Sequence, residues 1–402
     1  MTEPERREVD EHCRSGDRLA RAGRLDEAAA CYWAALALAP DDAGIRAGLG
    51  NVLLGLGEAD QALAAYRAAL AGGFDHPLLH YNMGTALRAL GRPGEARLAF
   101  QEALARNPGF APAHNNLGNA LRDLGRLGEA AAAYLEALAL RPGDGGTRVN
   151  LAGALRLLHE EDAAAAAALA RRWLAQAVAD PMARHVAAAL AGGPAPERAE
   201  DGYVRQLFDG FAADFERRLA ELDYRVPGLM AAALDSEPAG SLAVLDAGCG
   251  TGLCAPLLRP YARTLAGVDL SPEMLERARA RGLYDSLEAA ELTAFLAAHP
   301  GAFDLIVAAD VLCYFGALEA VLAAAAAALR PGGRLLFTVE RDPAADAPPF
   351  TLQASGRYRH APDAVAEALA AARLGIIESR PEGLRHENGR DVPGLLVVTE
   401  IR

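Results

Sequence analysis

The tightest constraint on this 402-residue chain is a spacing of 34 residues that recurs through its first third. Gly16, Gly50, Gly84 and Gly118 keep that step, and so do Ala28, Ala62, Ala96 and Ala130. The same step links Tyr32, Tyr66, Phe100 and Tyr134, then Ala35, Ala69, Ala103 and Ala137, while Pro40, Phe74, Pro108 and Pro142 close each unit. Independent columns that share one period without a slip mark a repeated supersecondary unit. A unit that cannot bury its apolar face alone must stack on its neighbours. The stretch NNLGNALRDLGRLGEAAAAYLEALALRPGD reads as helix–turn–helix. Small residues let the paired helices approach, the aromatic fills the wedge between successive units, and proline ends the second helix. The chain is too long for one ordinary core, so a second domain is expected beyond the array.

The pattern resembles the tetratricopeptide repeat over roughly residues 9–144. A weaker fifth copy starts near Gly145, with Leu151 and Leu155 in register, and ARRWLAQAVADPMARHVAAAL reads as a closing helical cap. Residues 1–189 are therefore expected to form an all-α solenoid. Such arrays hold a peptide or partner on the concave face, lined by the first helix of each unit. Asn82, Asn116 and Asn150 fall 34 apart on that helix, and Asn51 and Asn119 recur on it at 68. The segment HNNLGNALRDLGR is similar to the asparagine-lined repeats of the O-linked N-acetylglucosamine transferases. An amide offers donors and an acceptor, so Asn82, Asn116, Asn119 and Asn150 are candidates to grip a peptide main chain. The alternative is that they are solvated or bond neighbouring helices.

Residues 190–200, LAGGPAPERAE, read as a linker, and residues 201–402 as the second domain. There the period changes. Apolar runs of strand length lie at 242–246, 264–269, 286–291, 303–309, 334–339, 375–379 and 395–399, with helical stretches between the first six. This alternation predicts a mostly parallel, seven-stranded, Rossmann-like α/β sheet between helices, with the last strand antiparallel.

Ligands of such sheets sit beyond the carboxyl ends of the strands, where strand order reverses. The first run leads into Asp246-Ala-Gly248-Cys249-Gly250-Thr-Gly252. A dinucleotide fingerprint would space its glycines G-x-G-x-x-G to receive a pyrophosphate. Here the third glycine comes one residue early, which suits a ligand with an ammonium and no phosphate. Seventeen residues later Asp269 ends the second run, where a carboxylate can accept both ribose hydroxyls.

From about Tyr203 onward the sequence resembles the class I S-adenosylmethionine-dependent methyltransferases. VLDAGCGTG matches their first motif and GVDLSPEML, with Asp269 and Leu270, their second. The resemblance implies that Glu291 in AAELTAF contacts the adenine amine with Leu292 beside the ring. It also matches FDLIVAADVLCYFG, with Asp310, to the fourth-strand motif and ALRPGGRLLFTVE to the segment around the fifth. The combination with N-terminal repeats resembles predicted repeat-containing bacterial methyltransferases. In similar FDxFAxxF segments an aromatic helix covers the cofactor, which implies a lid role for Phe208, Phe211 and Phe215; by spacing alone such a stripe is core. Cys249 reads as a small residue in the turn rather than a reactive thiol.

A sulfonium is already an electrophile, so neither a metal nor an essential base is expected. Candidate acceptor-side groups are Asp310 and Tyr314, Glu340, and Arg357, Tyr358 and His360 of SGRYRH. His360 could take a proton from a hydroxyl or amine, and Arg357 could clamp a carboxylate; a solvated histidine and a surface ion pair are the alternatives. The formal charge of −13 argues against a nucleic-acid surface, and no apolar stretch suggests a membrane span. Five scattered cysteines and a charged N-terminus lead to the expectation of a cytoplasmic protein. Three functions remain in view: methylation of a protein, peptide or carrier-bound substrate held by the repeats, methylation of a free small molecule, or a non-catalytic adaptor.

Overall fold

The computed structural model describes residues 2–192, 195–234, 240–344, 346–387 and 389–401, and of Phe211 the backbone alone. The chain divides into two compact units, Met1–Glu161 and Asp162–Arg402. The expected linker, 190–200, falls inside the second unit, and its residues 193 and 194 lie outside the described ones.

The first unit is a run of antiparallel helix pairs: α1 (Glu3–Arg21) with α2 (Leu25–Leu38), α3 (Ala43–Gly55) with α4 (Ala59–Ala71), α5 (Pro77–Ala89) with α6 (Pro93–Arg106), and α7 (Ala111–Asp123) with α8 (Leu127–Leu140). Helix α9 (Gly145–Glu161) follows. The repeating columns are the contacts that hold each pair. A Cβ on Gly50, Gly84 or Gly118 would stand 2.5–2.6 Å from the ring of Tyr66, Phe100 or Tyr134, so each ring lies flat on a bare backbone. The alanines of both columns are fully or almost fully buried beside them. A further column sits in the turns, where Gly23, Gly57, Gly91 and Gly125 have φ between 69° and 82°. That left-handed conformation strains any residue with a Cβ. Gly118→Ala is expected to lower the stability of the first unit by about 1–3 kcal/mol through overpacking against Tyr134. The urea midpoint followed by far-UV circular dichroism checks this.

In the second unit, α10 (Ala163–Gln176) and α11 (Pro181–Ala191) precede α12 (Asp201–Phe211), α13 (Phe215–Glu221) and α14 (Val226–Leu234). The stretch expected to form one helical cap is thus two helices, and both belong to this compact unit. His185 of α11 stacks on Tyr203 of α12 at 3.9 Å, and its Nε2 bonds the Gly356 carbonyl at 2.9 Å.

The sheet starts with β1 (Leu242–Ala247), followed by α15 (Ala255–Leu258), β2 (Ala262–Asp269), α16 (Pro272–Ala280), β3 (Ser286–Ala289), α17 (Leu292–Ala298) and β4 (Phe303–Ala308). Then come α18 (Glu319–Ala328), β5 (Leu329–Arg341), β6 (Phe350–Leu352), β7 (Tyr358–His360), α19 (Pro362–Ala371), β8 (Leu374–Glu387) and β9 (Arg390–Ile401). The order β3-β2-β1-β4-β5 is parallel throughout. Strand β9 lies antiparallel on β5 and carries β8 on its other edge. All seven expected strands are present. The two additional ones, β6 and β7, form a hairpin, and β7 pairs in parallel with the end of β5 beyond its stretch on β4. SGRYRH, expected between the fifth strand and the next helix, therefore enters the sheet. Val244, Leu265, Leu305, Val307 and Leu336 of the strands pack on Val226, Met230 and Leu234 of α14 and on Leu258 of α15. No helix among the described residues is long and apolar enough to cross a membrane.

Candidate active site

Strand order reverses between β1 and β4, and their carboxyl ends open into a cleft. Its walls come from the turn after β1 (Gly248, Gly250), the end of β2 (Asp269, Leu270), the start of α17 (Glu291, Leu292) and the loop after β4 (Asp310, Tyr314). Arg357 at β7 and Phe215 at α13 complete it. A neighbouring recess of about 360 Å³ shares Gly248, Gly250 and Phe215 with the cleft and adds Asp246, Cys249 and Thr251.

The three glycines do different work. All have positive φ, 67° at Gly248, 53° at Gly250 and 82° at Gly252. A Cβ on Gly248 would collide with Val311 at 2.4 Å, and one on Gly252 would press on Arg281 and Tyr284 at 3.0 Å. Only Gly250 faces open space, its nearest neighbour being Phe215 at 3.9 Å. Gly252 therefore serves packing, while Gly250 leaves an open corner beside the cleft. The turn is tied to β2, since Cys249 N donates to Val268 O at 3.0 Å and Gly250 N to Asp269 Oδ2 at 2.9 Å. Cys249 is buried, and burial pushes its thiol far up, so it is an inert small side chain here.

Four acids reach this region. Asp246 is 1% exposed and receives the Tyr284 hydroxyl on Oδ2 at 2.6 Å. Burial pushes its carboxyl up to about 7. Asp269, which lines the cleft, accepts Ser271 N on Oδ1 at 2.8 Å besides the Gly250 bond. Burial raises its pKa. Glu291 caps α17, accepting Thr293 N at 3.0 Å and Ala294 N at 2.8 Å, and Arg198 stands 3.4 Å from it. Its carboxylate is thus already engaged where the resemblance implied an adenine contact. Asp310 holds a left-handed φ of 57°, and its N–H donates to Thr338 Oγ1 at 3.0 Å.

The recess fits an amino-acid end. It offers the Asp246 carboxylate, no cation on its walls, and Thr251, whose buried Oγ1 has no hydrogen-bond partner among the described residues. A ligand carrying both ammonium and carboxylate would satisfy both groups, since an orphaned buried hydroxyl is costly.

On the far side of the cleft stand Tyr314 and Arg357. Burial pushes the Tyr314 phenol up to about 12, so at neutral pH it donates hydrogen bonds and does not act as a base. His360 is a correction. It is 1% exposed, lies away from the cleft, and its Nε2 bonds the carbonyls of Phe315 at 2.9 Å and Gly316 at 3.1 Å. Burial lowers its pKa. It is a neutral strut between β7 and the loop after β4, not a proton acceptor for substrate. Tyr358 is a second correction: fully buried, its ring packs on Phe350 and His185 and is out of a substrate's reach. Of the aromatic stripe, Phe208 and Phe215 line the cleft, with Phe208 edge-on to both Phe215 and Tyr314. The Phe211 side chain lies outside the described residues. Asp209 of α12 accepts from Ser271 Oγ, and Glu216 of α13 pairs with Arg281, whose Nε donates to Thr251 O at 2.6 Å.

Sequence reasoning missed Tyr284, Arg281 and Arg385. Arg385 is 1% exposed and binds Glu340, itself 2% exposed, with Asp310 Oδ1 3.5 Å away. Glu340 also stands 3.6 Å from Arg357. The one signal for Tyr284 was the pair Gly252 and Gly267, which leave room for its ring.

In the first unit the asparagines bond within the protein. Tyr66 OH donates to Asn51 at 3.0 Å and Tyr134 OH to Asn119 at 2.8 Å, while Tyr32 finds Asp17 at the equivalent place. Where the ring is Phe100 and has no hydroxyl, the position is Thr85, which bonds its own helix. Asn82 donates to Asn51 at 2.7 Å, Asn116 to Tyr81 OH at 3.1 Å, and Asn150 to Asn115 at 3.1 Å. Asn119 is buried, so it is not part of a peptide-gripping row.

Residues 245–337 match the family model described as "Methyltransferase domain"; residues 81–145 and 16–57 match those described as "Tetratricopeptide repeat" and "TPR repeat". The chain joins tetratricopeptide repeats to a class I methyltransferase domain. Within that domain it is 35% identical over 106 residues to the "Ubiquinone biosynthesis O-methyltransferase" of Thiobacillus denitrificans, covering 25% of this chain and 45% of the relative. It is 45% identical over 86 residues to the human "Methyltransferase-like protein 27", covering 20% of this chain and 35% of the relative. The chain thus spans less than half the length of these curated relatives. Among solved structures, the N-methyltransferase NodS from Bradyrhizobium japonicum, in complex with S-adenosyl-L-homocysteine, is 24% identical with a TM-score of 0.39, covering 49% of this chain and 98% of that one.

Proposed function

We propose that the chain is an S-adenosylmethionine-dependent methyltransferase that delivers the methyl group by in-line displacement to a protein, peptide or carrier-bound acceptor held by the repeats. The observation that carries the donor assignment is the pair Asp246 and Asp269 on adjacent strand ends, with the open Gly250 corner between them. When bound, S-adenosylmethionine supplies a sulfonium-activated methyl group. Asp269 accepts the ribose hydroxyls. Asp246 meets the ammonium and Thr251 Oγ1 the carboxylate. Leu270 and Leu292 flank the adenine. Tyr314 donates to the acceptor, and Arg357 faces any anionic group it carries. Alignment alone can lower the barrier by about 7–11 kcal/mol, and the cover of α12 and α13 excludes water.

The docking half of the proposal is supported by an open groove of about 1,030 Å³ on the first helices of the repeats, with Asp10, Asp17 and Asp42 in its walls. A second reading, a free small-molecule acceptor with repeats used for assembly or docking, is favoured by the internally bonded asparagines and by the names of the quinone-pathway relatives. Labelled methyl donor, a lysate, and either the whole chain or residues 162–402 separate the two. Label on macromolecules that needs residues 1–161 supports docking. Label on metabolites with either protein supports the second reading, and absence of any label with either protein overturns both.

A further inference from the structure

Tyr284 follows α16 in the turn that leads to β3, far in sequence from the glycine turn it supports. Its ring occupies the space left by two glycines: a Cβ on Gly267 would stand 2.9 Å from it, and one on Gly252 3.0 Å. That seat aims its hydroxyl at Asp246 Oδ2, 2.6 Å away. No other side chain among the described residues donates to Asp246.

Resting on the methyl-donor assignment above, we propose that Tyr284 is the positioning residue of the amino-acid recess. Its phenol holds Asp246 as a carboxylate, turned and charged to receive the ligand's ammonium. The titratable neighbours work against that charge. Asp269 on β2 is a like charge, and Cys249, Cys254 and Tyr224 offer no cation. Burial raises the Asp246 carboxyl to about 7, and the Tyr284 hydrogen bond is the opposing influence. A hydrogen bond to the charged form favours that form, so removing the hydroxyl moves the carboxyl higher still.

A cationic amine binds the carboxylate form, so affinity for S-adenosylhomocysteine rises with pH through about 7 in the intact protein. It falls again as the ligand's own amine, with an ordinary α-amino pKa of roughly 7.7–8.0, loses its proton. In Tyr284→Phe the ring and its packing stay, while the acid limb shifts upward by about one pH unit, which corresponds to an affinity loss of roughly tenfold below pH 7.

The test is calorimetric titration of the full chain with S-adenosylhomocysteine from pH 5.5 to 8.5, on the wild type, Tyr284→Phe, Asp246→Asn and the double variant. The expected result is a displaced acid limb in Tyr284→Phe, and less than a twofold effect of the same change in the Asp246→Asn background. A uniform loss at every pH, or an equal loss in both backgrounds, would mean that the tyrosine only packs, and the inference falls while the donor assignment stands. Wild-type protein that takes up no S-adenosylhomocysteine at any pH overturns the donor assignment and this inference with it. Melting temperatures of the four proteins show that each is folded.

Discussion

Arg385→Met is expected to destabilise the methyltransferase unit by about 3–5 kcal/mol, because it strands Glu340 in the sheet without its closest partner. Both side chains are almost wholly buried, at 1% and 2% exposure. The residual cations, Arg357 at 3.6 Å and Arg359 at 3.9 Å, stand too far away to replace a direct bond. Adding Glu340→Gln removes the uncompensated charge and is expected to recover more than half of the loss. Urea unfolding followed through Trp173 reports this unit, since that indole is buried within it. A cost below about 1 kcal/mol for the single variant would mean that water reaches the pair, as at a surface ion pair.

The second large effect belongs to Asp269. Its two oxygens each hold a backbone N–H of the site, and its carboxylate lines the cleft. Two hydrogen bonds to a charged acceptor, at about 1.5–3 kcal/mol each, set the scale. Asp269→Ala should therefore weaken S-adenosylhomocysteine binding by about 100-fold or more in a calorimetric titration. Asp269→Asn keeps one acceptor and should fall in between. Affinity within threefold of the wild type in the alanine variant would end the ribose assignment.

The repeat columns were legible because their contacts are local. Each glycine meets the aromatic sixteen residues later in the same unit, so the packing rule is written as a period. The asparagines keep the same period in positions of their own, yet their meaning depended on partners. Asn51 and Asn119 satisfy buried tyrosine hydroxyls, a use that spacing cannot distinguish from a peptide-gripping row. The same limit applied to SGRYRH. A three-residue strand is too short to show an alternation, so His360 looked like a loop histidine until β7 placed it under the Phe315 and Gly316 carbonyls.

By itself, the sequence determined the repeats, the alternation of strand and helix, the glycine turn and the two acids that flank it. Each of these is fixed by backbone geometry over a few residues or by a regular period, and short-range order survives in a linear string. Only the tertiary structure decided which glycine of the turn faces open space, that Tyr284 reaches Asp246 across 38 positions, and that Arg385 pairs with Glu340 across 45. Those facts follow from burial, where a charge or hydroxyl taken out of water must find whichever partner the fold brings near, however distant it is along the chain.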